Sequence, residues 1–237
     1  MKARGEETRT IVVTDLTVMR QGRLCLAGVD LNDMRDVRPT RGNAGLSPDD
    51  LTVTGGTIRP GCVLEFEPAG VEIRPCRPHV EDVPYDPSAA RVLYRMSARE
   101  VHDFLKDIAR PRLRHIYGPG LHGNWALPGE PDRSLGTLDC ARVRVWKNDR
   151  GRMRIDVLTR GGDIVKDLPF NDSLLRRYLE SAGDGAAFEK RLSEANKALN
   201  LGGRPIARVG LSRPFDPCGT GNPRCWLQVN AVYPLGL

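Results

Sequence analysis

The chain has 237 residues, enough for one large domain or two small ones with buried cores. Hydrophobic residues make up 40% of it and aromatic residues 5%, while 25 Gly and 18 Pro favour short strands joined by turns. The 36 Lys and Arg exceed the 30 Asp and Glu by six charges, which suits a polyanionic partner without requiring one. No apolar run of about 18 residues is present, and the N-terminal residues do not resemble a signal peptide, so we expect no membrane association and a cytoplasmic location.

Six cysteines are spread along the chain, at positions 25, 62, 76, 140, 218 and 225. A chain of this size does not need disulfides for stability, so we expect thiols, mostly buried. Cys76 with His79, and Cys218 with Cys225, are two pairs of soft ligands that could hold zinc. Structural zinc sites use tighter spacings in both pairs, and the sequence therefore predicts no metal and no cofactor.

The first ninety residues are patterned as strands separated by turn-forming residues. Apolar or alternating runs occupy 11–13, 22–30, 52–58, 61–67 and 70–73. The run 22–30 is apolar on both faces, as in a strand that is covered on both sides. The basic stretch 35–45 contains Pro and Gly, which predicts a loop. Strands this short and closely spaced indicate a small barrel or sandwich.

One helix lies between two irregular segments. Residues 79–87 are acidic and rich in proline, so we interpret them as a connection. Ser97 and Glu100 have the spacing of a capping box, and apolar residues follow at helical spacing as far as Ile108. Residues 117–136 contain five Gly and three Pro, which predicts a linker or long loop. The predicted N-terminal domain therefore spans 1–116 and the C-terminal domain 137–237.

The C-terminal half alternates between strand and helix patterns. Strand-like runs occupy 138–146, 151–158, 163–170, 207–211 and 226–233. Residues 147–151 between the first two runs have the composition of a hairpin turn. Residues 173–199 favour two short helices, separated by the Gly-Asp-Gly sequence at 183–185. The predicted fold is mainly β with helical insertions, organised as two small barrels.

The sequence contains none of the common catalytic signatures. It has no Gly-x-Ser-x-Gly elbow, no Gly-x4-Gly-Lys-Ser/Thr phosphate loop, no His-Glu-x-x-His and no dinucleotide fingerprint. We therefore predict no catalytic residues and favour a protein that is not an enzyme. An enzyme acting on nucleic acid would need a carboxylate cluster. The candidates for it are Asp82, Asp86, Asp139 and Asp216.

The group of residues that says most about function is a basic hairpin. The period of two puts Arg142, Arg144 and Trp146 on one strand face, and it groups Arg152 with Arg154 on the facing strand. From position 142 to 154, six Lys or Arg stand against one Asp. Guanidinium groups beside an indole offer charge for phosphates and a ring for a base, which predicts a single-stranded nucleic-acid platform. The alternative is a solvated strand face whose Trp covers the arginine stems.

Arginine is far more frequent than lysine elsewhere in the chain as well. Its planar guanidinium binds phosphate in a bidentate way that lysine cannot match, so the bias favours a nucleic-acid or nucleotide partner. We add Arg38 and Arg41, from the basic stretch near the first strands, to the predicted binding residues. An arginine-rich proteome would produce the same bias.

Short motifs near both ends resemble the dual OB-containing domain family. They are RLCLAGVDL at 23–31, VRP at 37–39, GLS at 45–47, GLSR at 210–213 and CWLQV at 225–229. The resemblance implies two OB-type barrels, nucleic-acid binding and a role in prokaryotic conflict or defence systems. OB barrels bind strands or oligosaccharides on an exposed sheet face, which agrees with the basic hairpin.

The sequence thus predicts a non-enzymatic protein that binds single-stranded DNA or RNA. A protein-interaction or sensor subunit of a larger complex is the alternative, with the segments 79–91 and 111–136 as loops that contact a protein partner.

Overall fold

The computed structural model describes residues 8–41, 45–69, 76–217 and 219–235. The chain is 47% strand and 21% helix, so the predicted mainly β class is confirmed. It divides into two compact units, the first formed by Met1–Pro75 with Glu81–Ser97 and the second by Cys76–Val80 with Ala98–Leu237. The division thus falls next to Ser97, whereas the sequence analysis places it in 117–136, and the first helix belongs to the second unit.

The first unit is a closed five-stranded barrel with a small hairpin. Its strands are β1 (Arg9–Val18), β2 (Leu24–Asp30), β3 (Asp36–Thr40), β4 (Thr52–Val53), β5 (Gly56–Thr57), β6 (Cys62–Pro68) and β7 (Asp82–Arg95). The barrel order is β1-β2-β3-β7-β6, and β4 pairs with β5. Neighbours in the barrel are antiparallel except β3 and β7, which are parallel. Aliphatic side chains fill the core together with Phe66 and Tyr85, whose rings meet edge to face at 5.5 Å.

Glycine at position 28 is explained by the close approach of β1 and β2. A Cβ atom at Gly28 would lie 2.4 Å from the carbonyl oxygen of Val12. The register of the two strands shifts between Val13 and Asp15, where β1 carries a bulge. A larger residue at position 28 would therefore push the two strands apart.

Two segments of the first unit that the sequence predicts to be irregular are strands. The predicted loop 35–45 contains β3, and the predicted connection 79–87 is largely the beginning of β7. Proline has no N–H to donate to the hydrogen bonds between strands. On β7, however, the residue that pairs with β6 changes from Ala90 to Tyr85 across a register shift, so Pro87 lies in a bulge. Both loop predictions are therefore wrong: β7 forms because a bulge accommodates Pro87, and β3 forms because β2 and β7 provide its partners. The predicted strand 70–73 lies outside the described residues.

The second unit is a seven-stranded antiparallel sheet, curled into a half-barrel, with four helices. Its elements are α1 (Ala98–Ile108), α2 (Arg114–Tyr117), β8 (Leu121–His122), β9 (Trp125–Ala126), β10 (Leu135–Lys147), β11 (Met153–Thr159), β12 (Ile164–Pro169), α3 (Ser173–Glu180), α4 (Ala186–Leu199), β13 (Ile206–Leu211) and β14 (Cys225–Tyr233). The strand order is β12-β11-β10-β13-β14-β9-β8. The predicted linker 117–136 contains the β8–β9 hairpin, which extends this sheet.

Asn196 of α4 and Asn200, the residue that follows this helix, replace a missing strand beside β10. The N-terminal part of β10 pairs with β13 only as far as Asp139. Beyond it, the Oδ1 atom of Asn196 accepts from the Val145 nitrogen at 2.7 Å, and its Nδ2 donates to the Val145 oxygen at 2.8 Å. Asn200 does the same with Val143, at 3.0 and 2.9 Å. The spacing of four residues puts both amides on one helix face, so they satisfy the strand edge and hold it against α4.

Among the described residues, no helix combines the length and apolar character needed to span a bilayer.

Candidate functional site

A tight turn around Asn148 sets the register of the β10–β11 hairpin. The Asn148 side chain accepts hydrogen bonds from the backbone nitrogens of Arg150 and Arg152, at 3.1 and 2.8 Å. The Gly151 nitrogen donates to the Asn148 oxygen at 2.8 Å, and Gly151 has a φ of +71°, a value that glycine adopts without strain. The predicted hairpin is therefore present, with a side chain fixing its turn.

The outer face of this hairpin carries the residues that the alternation groups together. Opposite pairs on that face are Arg142 with Leu158, Arg144 with Asp156, and Trp146 with Arg154. The intervening residues of both strands, Val143, Val145, Ile155 and Val157, are buried in the core of the second unit. Arg152 is exposed and precedes the first residue of β11, so it belongs to the turn.

Arg142 and Arg144 are exposed, and their side chains form no hydrogen bond or ion pair with any residue that the structure describes. Asp156 lies directly across from Arg144, but its Oδ1 atom already accepts from the indole nitrogen of Trp146 at 3.3 Å and from the Asp167 nitrogen at 2.9 Å. Two guanidinium groups are therefore available to an external anion on this face.

Trp146 and Arg154, by contrast, are held by neighbouring carboxylates. The Nε atom of Arg154 donates to Asp167 Oδ1 at 2.6 Å, and its Nη2 donates to the Asp167 carbonyl oxygen. Trp146 is half-buried, with its indole nitrogen directed to Asp156. The ion pair with Asp167 neutralises Arg154, so its contribution to anion binding is smaller than that of Arg142 or Arg144.

The first unit does not present Arg38 as a binding residue. The Nη1 atom of Arg38 donates to Asp82 Oδ1 at 2.9 Å, and both side chains are only 8% exposed. Burial by itself lowers the pKa of the Arg38 guanidinium, but the charges of Cys25, Asp82 and Glu81 outweigh it and raise the pKa above its ordinary value. Arg38 is therefore a buried structural cation, and we remove it from the candidate surface.

Arg41 forms an ion pair with Asp50, but much of its side chain stays exposed to solvent. Its Nη1 atom lies 2.9 Å from Asp50 Oδ1, with the arginine side chain 56% exposed and the aspartate side chain 10% exposed. Burial opposes ionisation of Asp50, but hydrogen bonds from Ser47 and the charge of Arg41 lower its pKa below the ordinary value. Arg41 thus stabilises a buried carboxylate, which leaves it less free than the arginines of the hairpin.

A cluster of aromatic and basic side chains, not predicted from the sequence, lies on strands β8, β9 and β14 of the seven-stranded sheet. His122, Trp125 and Trp226 come from three adjacent strands, and Arg224 stands next to them; we call these four residues the Arg224 cluster. The rings of His122 and Trp125 are 4.8 Å apart, and the Arg224 Cζ atom lies 3.9 Å from the centre of the Trp125 ring. A Gly-Asn turn between His122 and Trp125 is the hairpin signal that could have revealed it.

Each of the four carboxylates named as enzyme candidates has its own hydrogen-bond or ion-pair partner within the protein. Asp82 pairs with Arg38, Asp139 with Arg204 at 2.9 Å, and Asp86 accepts from Ser88. Asp216 accepts from the nitrogen of Gly221 at 2.7 Å. Among the described residues, no group of three or more His, Cys, Asp or Glu is arranged to hold a metal ion.

Cysteine reactivity should follow burial. Burial raises the pKa of Cys140 to about 12 and that of Cys225 to about 11, so roughly 10⁻⁴ and 10⁻³ of these thiols ionise at pH 8. Cys76 is exposed. Brief treatment of the folded protein with iodoacetamide, followed by peptide mass spectrometry, should modify Cys76 and leave Cys140 and Cys225 unmodified until urea is added. Equal modification of all three without urea would contradict the burial.

Comparison of the chain with protein-family models, with curated proteins and with solved structures found no match in any of the three. The resemblance to the dual OB-containing domain family, which short motifs carry, therefore stays a prediction, and a functional assignment depends on the geometry of the candidate sites.

Proposed function

We propose that the protein binds single-stranded nucleic acid through the outer face of the β10–β11 hairpin. The observation that carries this proposal is the alignment of Arg142, Arg144 and Trp146 on one face, where neither guanidinium group has a carboxylate partner among the described residues. Successive outward residues are about 6.6 Å apart along a strand, so both arginines can contact the same phosphate backbone. The neighbouring indole adds a ring for base stacking.

The distribution of charge between the two units supports this placement. The first unit contains 12 Lys and Arg against 14 Asp and Glu, which gives a formal charge of −2. The second unit contains 24 Lys and Arg against 16 Asp and Glu, which gives +8. The whole basic excess of the chain thus belongs to the unit that carries the hairpin, and that unit attracts polyanions.

The rigidity of the hairpin also supports the proposal. Strand β10 is fixed by Asn196 and Asn200 on one edge and by β11 on the other, and Asp156 restrains the indole of Trp146. A hairpin backbone and an indole ring that are already positioned lose less conformational entropy on binding. The phosphate and base contacts therefore need little rearrangement of the protein.

We further infer that the closed barrel of the first unit is of the OB type. It has five strands, and its first three form a consecutive antiparallel series before β7 joins β3 in parallel. OB barrels usually bind ligands on the face of their second and third strands. Here the side chains from Leu26 to Asp30 and from Val37 to Thr40 are buried, which favours the second unit as the binding unit. The half-barrel has seven strands, so we do not extend the assignment to it.

A cytoplasmic location and a role in prokaryotic defence stay expectations, and the second of them depends on the family resemblance alone. The alternative of a protein-interaction subunit depends on loops at 79–91 and 111–136. Residues 82–91 belong to strand β7, and 111–136 contains a short helix and the β8–β9 hairpin. Much of the surface that motivates the alternative is therefore regular structure, and we favour nucleic acid as the partner.

Replacing Arg142 and Arg144 together with Ala should weaken binding and reduce its salt dependence. Each lost phosphate contact should reduce the slope of log affinity against log salt concentration by about one unit, so the double variant should lose about two. Fluorescence anisotropy with labelled single-stranded DNA and RNA at several salt concentrations measures both quantities.

The matched control replaces Arg99 and Lys106, two exposed residues of α1, with Ala. This variant removes the same net charge from the second unit and should keep most of the slope. An unchanged slope in the Arg142 and Arg144 variant, or wild-type protein without salt-sensitive binding, would refute the proposed function.

A further inference from the structure

We infer that the Arg224 cluster is a second nucleotide-binding site, which takes a phosphate on Arg224 and a base on the adjacent rings. The inference rests on the proposed function only for the class of ligand, because the cluster shares no residue with the hairpin site. The cluster lies on β8, β9 and the beginning of β14, and β13 separates β14 from β10 in the sheet.

Stacking holds the guanidinium of Arg224 in place without using its hydrogen-bond donors. Its Cζ atom lies 3.9 Å from the ring centre of Trp125 and 6.0 Å from that of Trp226, both within the range of cation–π attraction. The backbone of Arg224 exchanges two hydrogen bonds with Phe215, at 2.9 and 3.1 Å. The position of the Arg224 side chain is therefore fixed both at its backbone and at its guanidinium group.

The hydrogen-bond donors of this guanidinium are the second feature of the site. The Arg224 side chain forms no hydrogen bond or ion pair with any residue in the described part of the chain. Guanidinium carries five N–H donors in its plane, and an interaction with its face leaves them free. A tetrahedral oxyanion such as phosphate accepts two of them at once, so a stacked and unpaired Arg224 is organised for a phosphate.

The rings beside Arg224, exposed at His122 and half-buried at Trp125 and Trp226, provide the surface for a base. The His122 side chain is 45% exposed, its ring is inclined by 33° to that of Trp125, and its Nε2 atom lies 3.0 Å from Glu130 Oε2. The indole nitrogen of Trp226 donates to the Phe215 oxygen at 3.3 Å, which fixes that ring as well. A carboxylate ligand would need only the guanidinium, whereas a nucleotide uses both the guanidinium and the rings, and we therefore favour the nucleotide.

Tryptophan fluorescence can test this site separately from the hairpin. The chain has three tryptophans, so the Trp146→Phe variant emits only from Trp125 and Trp226. Titration of this variant with unlabelled single-stranded oligothymidylate or oligouridylate of about ten nucleotides should quench the emission saturably. Inorganic phosphate and polyglutamate serve as comparison ligands, and neither should quench to the same extent.

Adding Arg224→Gln to this background should weaken the oligonucleotide-dependent quenching about tenfold, as expected for the loss of a charge-assisted contact. Arg99→Gln removes the same charge from an exposed site of α1 and should leave the quenching unchanged. Arg224→Lys keeps the charge but not the planar fork, and it should give an intermediate loss; it replaces Arg224→Gln if that variant is unstable.

The outcomes separate this inference from the proposed function. Quenching that depends on Arg224 but persists after Arg142 and Arg144 are replaced supports the second site, whether or not the hairpin binds. Anisotropy that depends on the hairpin arginines, together with no Arg224-dependent quenching, overturns the second site alone. Quenching by polyglutamate but not by oligonucleotides overturns it too, because the cluster is then a site for acidic peptides. Absence of any oligonucleotide signal overturns both.

Discussion

Replacing Arg38 with Met should lower the free energy of unfolding of the first unit by about 3–5 kcal/mol. The substitution keeps much of the side-chain volume but leaves Asp82 as a charge that is 8% exposed and has lost its ion-pair partner. The pKa of Arg38 is raised, so in the native protein the guanidinium is charged throughout the accessible pH range. Hydrogen–deuterium exchange in β3 and β7, measured by mass spectrometry against urea concentration, reports the stability of this unit.

Two further variants make the Arg38 experiment specific. Asp82→Asn should also destabilise the barrel, whereas the double variant Arg38→Met with Asp82→Leu should be more stable than the sum of the two single variants predicts, because both charges of the pair are removed together. Oligonucleotide binding by folded Arg38→Met protein should match the wild type, since the proposed binding surface lies on the second unit. A loss of affinity without a loss of stability would restore Arg38 as a binding residue.

Local sequence patterns predicted the secondary-structure elements that are defined by interactions between residues close in sequence. The alternation from Arg142 to Trp146 and the turn at 147–151 were sufficient to define the β10–β11 hairpin. Helix α1 begins directly after Ser97, the first residue of the capping-box pattern. Residues 183–185 separate α3 from α4 as the glycines indicate. In each case, the determining interactions span only a few residues.

The features that the sequence did not reveal depend on distant partners. Arg38 and Asp82 are 44 positions apart, so no local pattern distinguishes this buried arginine from an exposed one. Strand β7 continues past Pro84 and Pro87 because β6 and β3 provide its partners and a bulge accommodates the irregular residues. Trp125 and Trp226 become neighbours only when the β8–β9 hairpin joins β14. The Gly-Asn turn indicates the β8–β9 hairpin, but no local pattern shows that this hairpin lies beside Trp226 and Arg224.

Asn196→Ala should lower the free energy of unfolding of the second unit by about 2–4 kcal/mol. Val145 is 1% exposed, and the variant leaves its backbone N–H and C=O without the Asn196 amide that pairs with both. Each buried polar group without a partner costs about 1–3 kcal/mol, because water cannot replace the lost hydrogen bond. Urea unfolding and the exchange rate of the Val145 amide measure the loss globally and locally.

The control for this substitution is Lys197→Ala, at the next position of α4, where the side chain is exposed. Its effect should stay within about 0.5 kcal/mol, as is usual for surface positions. Because Asn196 holds the strand that carries Arg144 and Trp146, the Asn196→Ala variant should also release oligonucleotides faster under conditions in which it is fully folded. An Asn196→Ala protein as stable as Lys197→Ala, with a protected Val145 amide, would show that another group satisfies this strand edge. Asn200, which pairs with Val143, and strand β11 would then hold β10 without Asn196.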